Sequence, residues 1–181
     1  TEYSLLDGCC RIKELIDRAA QLGQKSIAIT DHGVMYGVIE FYKYALEHGV
    51  KPIIGCEVYV APKSRFDKQK GGESKYNHLV LLCENNEGYS NLIKLVSLGF
   101  TEGFYSKPRI DKEILQKYSK GLIALSACLA GEIPKLLSNG EYEKAKQAAL
   151  FYDGVFGRGN YYLELQDHGI DEQKRINPQL I

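Results

Sequence analysis

Short apolar runs that end in polar residues alternate along this chain with amphipathic stretches of helical period, and that alternation restricts the fold more than any other feature. Residues 11–22 place Ile12, Leu15, Ile16, Ala19 and Ala20 on one helical face, with Gly23 as a left-handed stop. Residues 26–30 (SIAIT) then read as a short buried strand ending in Asp31-His32-Gly33. A helix over about 38–48 closes at Gly49, strand-like residues 50–54 and 57–60 lie around Gly55, and 78–83 (HLVLLC) is a further apolar strand. Helical period returns over 86–98, a strand over 122–126 runs into Ala127-Cys128, helices follow over 133–137 and 142–151, and 161–165 (YYLEL) is the last strand. This spacing predicts an α/β fold with a mostly parallel sheet, open or closed into a barrel. Residues 61–77 lack periodicity and hold Lys63, Arg65, Lys68, Lys70 and Lys75 against Asp67 and Glu73, which predicts a mobile, basic surface loop reaching toward DNA or another domain.

With 181 residues and 44% apolar composition, the chain has the size and core of one domain. Its 23 basic and 23 acidic residues give no net charge, so any contact with nucleic acid must be local. The longest apolar runs are far below the ~20 residues of a membrane span. No membrane partner is therefore expected, and a cytoplasmic location is. The five cysteines form no Cys-x-x-Cys pair, which argues for reduced thiols over a zinc ribbon or a redox couple.

In parallel α/β folds the carboxyl ends of strands gather polar side chains around one crevice. Asp31, His32, Cys128 and Gln166-Asp167-His168 all stand at such ends, while Glu57 and His78 are polar residues set in or beside apolar strand runs, where each needs a partner or a metal. Imidazole and carboxylate suit zinc, manganese or iron, and one thiolate favours zinc. Each residue alone also has a plainer reading. His78 could be a satisfied structural histidine, His48 a charge against a helix end, Cys128 a small buried hydrophobe and Asp31 a turn former capping the next helix.

The blocks TDHG (30–33) and MYG (35–37) resemble a motif of the PHP (polymerase and histidinol phosphatase) superfamily. SLLDG (4–8), KPIIGCEVYVAP (51–62), HLVLL (78–82), the run at 91–111, GLIALSACLAGEIP (121–134) and YYLELQDHG (161–169) resemble, in order, the branch found in bacterial replicative DNA polymerase III alpha subunits. The resemblance implies a distorted (βα)7 barrel of PHP type. It makes residues 1–181 a single N-terminal domain of a larger polymerase subunit, incomplete at both ends. It places metal ligands on Asp7, His32, Glu57, His78 and Cys128, and makes Asp31 and His168 candidates for catalytic support or substrate contact. The family's His-x-His pair would precede Thr1 and its Asp-x-His motif would follow Ile181, so the chain alone is expected to bind metal weakly. The implied cofactors are divalent ions, zinc ahead of manganese or magnesium. The implied activity is metal-dependent 3'-5' exonuclease or phosphoester hydrolysis. The implied partners are DNA, the other polymerase domains, and the proofreading and clamp subunits. Two alternatives stand beside this: a metal-free module that docks the proofreading exonuclease, and a free-standing PHP phosphatase.

Overall fold

A computed structural model describes residues 1–68 and 76–181. The elements run α1 (Ile12–Gln21), β1 (Ser26–Ile29), α2 (Val38–Glu47), β2 (Lys51–Val60), β3 (Asn77–Cys83), α3 (Asn86–Thr101), β4 (Arg109–Ile110), α4 (Lys112–Lys117), β5 (Leu122–Leu125), α5 (Glu132–Ser138), α6 (Tyr142–Phe156), β6 (Tyr161–Tyr162) and α7 (Asp171–Leu180). The result is a mixed α/β fold on a six-stranded sheet ordered β1-β2-β3-β5-β6, with β4 pairing on β2. Among the described residues no pairing joins β1 to β6, so the sheet is open there.

The expectation of a mostly parallel sheet is corrected at its centre. β3 runs antiparallel to both of its neighbours, β2 and β5, while β1, β4 and β6 pair in parallel. An apolar run such as HLVLLC has no direction, so the sequence could not reveal this reversal. The strand over 26–30 was expected to be buried. Instead it is an edge in which only Ile29 is fully covered, because its single ladder is to β2. Gly55 does not divide two strands but sits inside β2, where a Cβ would lie 2.5 Å from the Leu81 carbonyl oxygen of the paired strand. Two short elements carry too little periodicity to be read from sequence: β4, and α4 with its Asp111 side chain accepting from the Ile114 amide.

Alternation along β2 decides what faces the core. Cys56, Val58 and Val60 point to one side and meet Leu79 and Leu81 of β3 together with Leu92 and Leu95 of α3. Each is 2% exposed or less. Glu57 and Tyr59 therefore point to the other face, and the register sets Tyr59 opposite His78. A smaller core, built from Ile12 and Ile16 of α1, Ile29, and Val38, Phe41 and Ala45 of α2, packs under β1.

The expectation of a mobile loop over 61–77 is corrected in its first half. Ala61 is buried and donates to the Ile110 carbonyl. Arg65 is 7% exposed, and its guanidinium reaches Asp111 at 3.1 Å and Glu102 at 2.6 Å. Arg109, also buried, donates to the Arg65 and Asp67 carbonyls at 3.2 and 2.8 Å. Arg65 thus serves as an internal clamp rather than a cation offered to DNA. Lys70 and Lys75 lie outside the described residues.

Candidate metal centre

The five candidate ligands arrive from separate elements and meet. His32 follows β1 and is fixed by two backbone bonds to β2, from the Glu57 amide to the Asp31 carbonyl (3.0 Å) and from the Gly33 amide to the Glu57 carbonyl (2.8 Å). Gly33 has φ +68°, and a Cβ there would fall 2.8 Å from the Tyr59 ring, so glycine is required at this turn. His78 opens β3, and because β3 runs backwards its amino end lies where the carboxyl ends of the other strands gather. Cys128 lies on the loop after β5, which the His78 amide ties down by donating to the Ala130 carbonyl at 3.0 Å. Gly131 lets this loop close, since a Cβ would stand 2.1 Å from the Ser126 carbonyl oxygen. Two non-glycine residues in left-handed geometry, Leu6 (φ 67°) and Ala127 (φ 62°), immediately precede Asp7 and Cys128.

A continuous chain of contacts joins the five. Asp7 Oδ2 lies 2.5 Å from His32 Nε2, and Glu57 Oε1 lies 2.7 Å from His32 Nδ1 and 2.9 Å from His78 Nδ1. Cys128 Sγ is 3.6 Å from His78 Nδ1 and accepts from the Ala130 amide at 3.4 Å. The Glu57 contacts are short but lack hydrogen-bond angles, so His32 Nδ1 and Glu57 Oε1 are buried without a hydrogen bond. They are close polar contacts, because a short separation with a poor angle is not a hydrogen bond.

The electrostatics follow from this crowding. Burial acts to lower the His78 pKa, but contacts with Cys128 and Glu57 outweigh it and push the imidazole up to about 9. The Cys128 thiol is lowered, chiefly by His78. For Glu57 burial acts upward, and the two histidines more than offset it, leaving the carboxyl below its ordinary value. His78 thus sits between Glu57 and Cys128 and favours the ionised form of each.

This donor set of two imidazoles, two carboxylates and one thiolate suits zinc or another divalent ion. The orphaned His32 and Glu57 atoms are the donors such an ion would satisfy. The spacing is tighter than a filled site. Ligands ~2.0–2.1 Å from a tetrahedral ion stand about 3.3 Å apart, so Glu57 would draw back by about half an ångström. Accordingly, no three of these side chains among the described residues already surround one point as ligands.

The two supporting candidates lie elsewhere. Asp31 is buried beneath the loop of residues 1–8, where its carboxylate accepts from the Ser4 hydroxyl at 2.6 Å and the Thr1 hydroxyl at 2.7 Å. It supports the backbone at His32 rather than facing the cluster. His168 is exposed on the loop before α7 and bonds to Gln173 through both its amide and its ring. Among the described residues, neither side chain bonds to any of the five.

Sequence reasoning missed the walls. His32, His78 and Asp7 open into a cavity of ≈ 380 Å³ also lined by Tyr36, Tyr59, Tyr76 and Lys107. Strand alternation could have found Tyr59, two residues after Glu57 and therefore on the same face. Nothing in the sequence brings Lys107 there.

The family model described as the PHP domain matches residues 1–168. DNA polymerase III subunit alpha of Treponema pallidum is 47% identical over all of this chain, which covers 16% of that protein. The subunit of the same name from Deinococcus radiodurans is 48% identical over 99% of this chain and 14% of its own length, and that of Aquifex aeolicus 46% over 100% and 16%. The chain thus spans about a sixth of the curated relatives it matches. A solved amidohydrolase from Chromobacterium violaceum aligns over 83% of this chain and 37% of its own at 22% identity and a TM-score of 0.36, too distant to bear on the fold. With its motifs in order and its model matched over nearly the whole length, the chain belongs to the PHP domain family.

Proposed function

We propose that this chain is the PHP domain of a bacterial replicative DNA polymerase III alpha subunit, and that its cluster cleaves a phosphodiester at a DNA 3' end with divalent metal ions. The meeting of Asp7, His32, Glu57, His78 and Cys128, with two buried donor atoms left unbonded, carries this reading. The relatives' names support the polymerase context. On this reading the fold completes a (βα)7 barrel, the partners are DNA, the remaining polymerase domains and the proofreading and clamp subunits, and the compartment is the cytoplasm.

Bound ions, zinc ahead of manganese or magnesium, would supply hydroxide at neutral pH and offset the charge gathering on the phosphoryl oxygens. Glu57 and the two histidines would fix the ions, Asp7 would hold His32 through Nε2, and Asp31 would keep the His32 backbone in place. The hydrolysis that such ions would support breaks the bond from phosphorus to the upstream 3' oxygen, water giving its oxygen to phosphorus and a proton to the departing oxygen. The products are a nucleoside monophosphate and a strand one nucleotide shorter. Polymerisation itself would belong to other domains of the parent.

A second reading, a scaffold that docks the proofreading exonuclease, is favoured by one observation: the donors stand at contact distance from one another, as a vestigial site would. Metal analysis of the intact protein, with release of a labelled 3'-terminal nucleotide, separates the two. Bound zinc or manganese and cleavage, both lost in Glu57→Gln, support hydrolysis. A metal-free and inactive intact protein supports the scaffold.

A further inference from the structure

The cavity beside the cluster has an unusual lining for a site that need only hold a phosphate. Tyr36 stands at its rim with 68% of its surface in solvent, braced by a T-shaped contact with Tyr3 at 6.3 Å between ring centroids. Deeper in the wall, Tyr59 packs edge-to-face with Tyr76 at 4.8 Å and with His78 at 5.3 Å. Lys107 is exposed, places Nζ 5.5 Å from the Tyr59 ring and pairs with no carboxylate among the described residues. One cation without an anionic partner and one open aromatic ring therefore share a concavity with candidate metal ligands.

An exposed tyrosine offers a flat apolar face, and bases stack on such rings whatever their sequence. A volume of ≈ 380 Å³ lies at the small end of ligand sites, about 300–1,000 Å³, and suits one nucleotide. A base that stacks on protein must first leave its own stack and pair.

We propose that Tyr36 is the platform of a subsite for a single unpaired nucleobase and that Lys107 holds a phosphate beside it, so that the substrate is a frayed or single-stranded terminus. This rests on the phosphoester reading above. Tyr36 and Lys107 act on binding and selection, and the chemistry is left to the cluster.

The test uses the intact protein and fluorescein-labelled oligonucleotides, with binding read by anisotropy in calcium, alongside cleavage in manganese. Three strands are compared: one with an unpaired 3' nucleotide, the same strand ending in an abasic site, and a fully paired duplex. The unpaired strand should bind about tenfold more tightly than the abasic or paired strands, from a stack worth about 1–3 kcal/mol per base. Tyr36→Ala should erase that difference, Tyr36→Phe should preserve it, and Lys107→Ala should weaken all strands more at low salt than at high salt. Equal binding of native and abasic ends, or an undiminished base preference in Tyr36→Ala, overturns the subsite. Cleavage that persists with equal binding overturns the subsite alone, whereas absence of binding and cleavage for every strand overturns both the subsite and the reading beneath it.

Discussion

Replacing Arg65 with methionine tests whether the segment after β2 is held by a buried charge network. Met fills much of the Arg stem but leaves Asp111, 2% exposed, without its guanidinium. Removing one partner of a buried pair costs about 3–5 kcal/mol, because the remaining charge stays desolvated. Asp111 would still accept from the Arg65 amide at 2.8 Å and the Ile114 amide at 3.2 Å, which places the loss near the lower end, about 3 kcal/mol. Glu102 and Glu113, with side chains 34% and 79% exposed, can return to water and add little. The stacking of the guanidinium on Phe66 at 4.3 Å contributes at most about 1 kcal/mol. In urea, with a slope of about 2 kcal/mol per molar, the midpoint should fall by about 1.5 M at unchanged slope. Arg65→Lys keeps the charge but not the fork, and should recover part of the loss. Hydrogen exchange at the Ala61 amide, which donates to Ile110, should accelerate with Arg65→Met. A midpoint shift below about 0.5 M would mean that water already screens Asp111, refuting the clamp.

Gly131→Ala should cost about 1–3 kcal/mol in thermal or urea unfolding and reduce metal content, since the loop bearing Cys128 must move away from the Ser126 carbonyl; native stability with full metal content would count against that contact. Ala127→Gly, at φ 62°, should be neutral or stabilising by up to about 1 kcal/mol in the same assay, unlike most such exchanges, and a clear loss would show that the left-handed backbone is not strained. In chelator-treated protein, the His78 contribution should be fully present below its ordinary value of 6.5 and lost as pH rises through about 9. The Cys128 contribution has the opposite sign, present above 9.0 and lost as pH falls through its lowered value. His78→Gln should therefore flatten the decline in melting temperature between pH 7 and 9.5, and an unchanged profile would remove His78 as its source.

Helix positions were legible from sequence because period and stops agree: Gly23 and Gly49 both take positive φ immediately beyond α1 and α2. The convergence of Glu57 and His78 was legible only as an inference from polar residues in apolar surroundings and from family resemblance. What the sequence hid is pairing. Whether β3 runs with or against β2 depends on long-range ladders that leave no trace in HLVLLC, and Arg65 looks like any loop cation until Asp111, 46 residues away, is seen beneath it. His168 shows the opposite failure, since its place after an apolar run suggested a site, yet β6 is only two residues long and ends before that side chain could be aimed.

Strand β2 writes two messages in alternate letters. Residues 56, 58 and 60 specify the interior, and 57 and 59 specify the candidate site and its aromatic wall. A single-residue insertion or deletion here would exchange the two faces, turning a carboxylate inward and a valine toward the candidate ligands. The strand can therefore drift by substitution at one set of letters while the other set holds, but it cannot change length, and loss of the candidate-site residues in a descendant would leave the fold's half of the text intact.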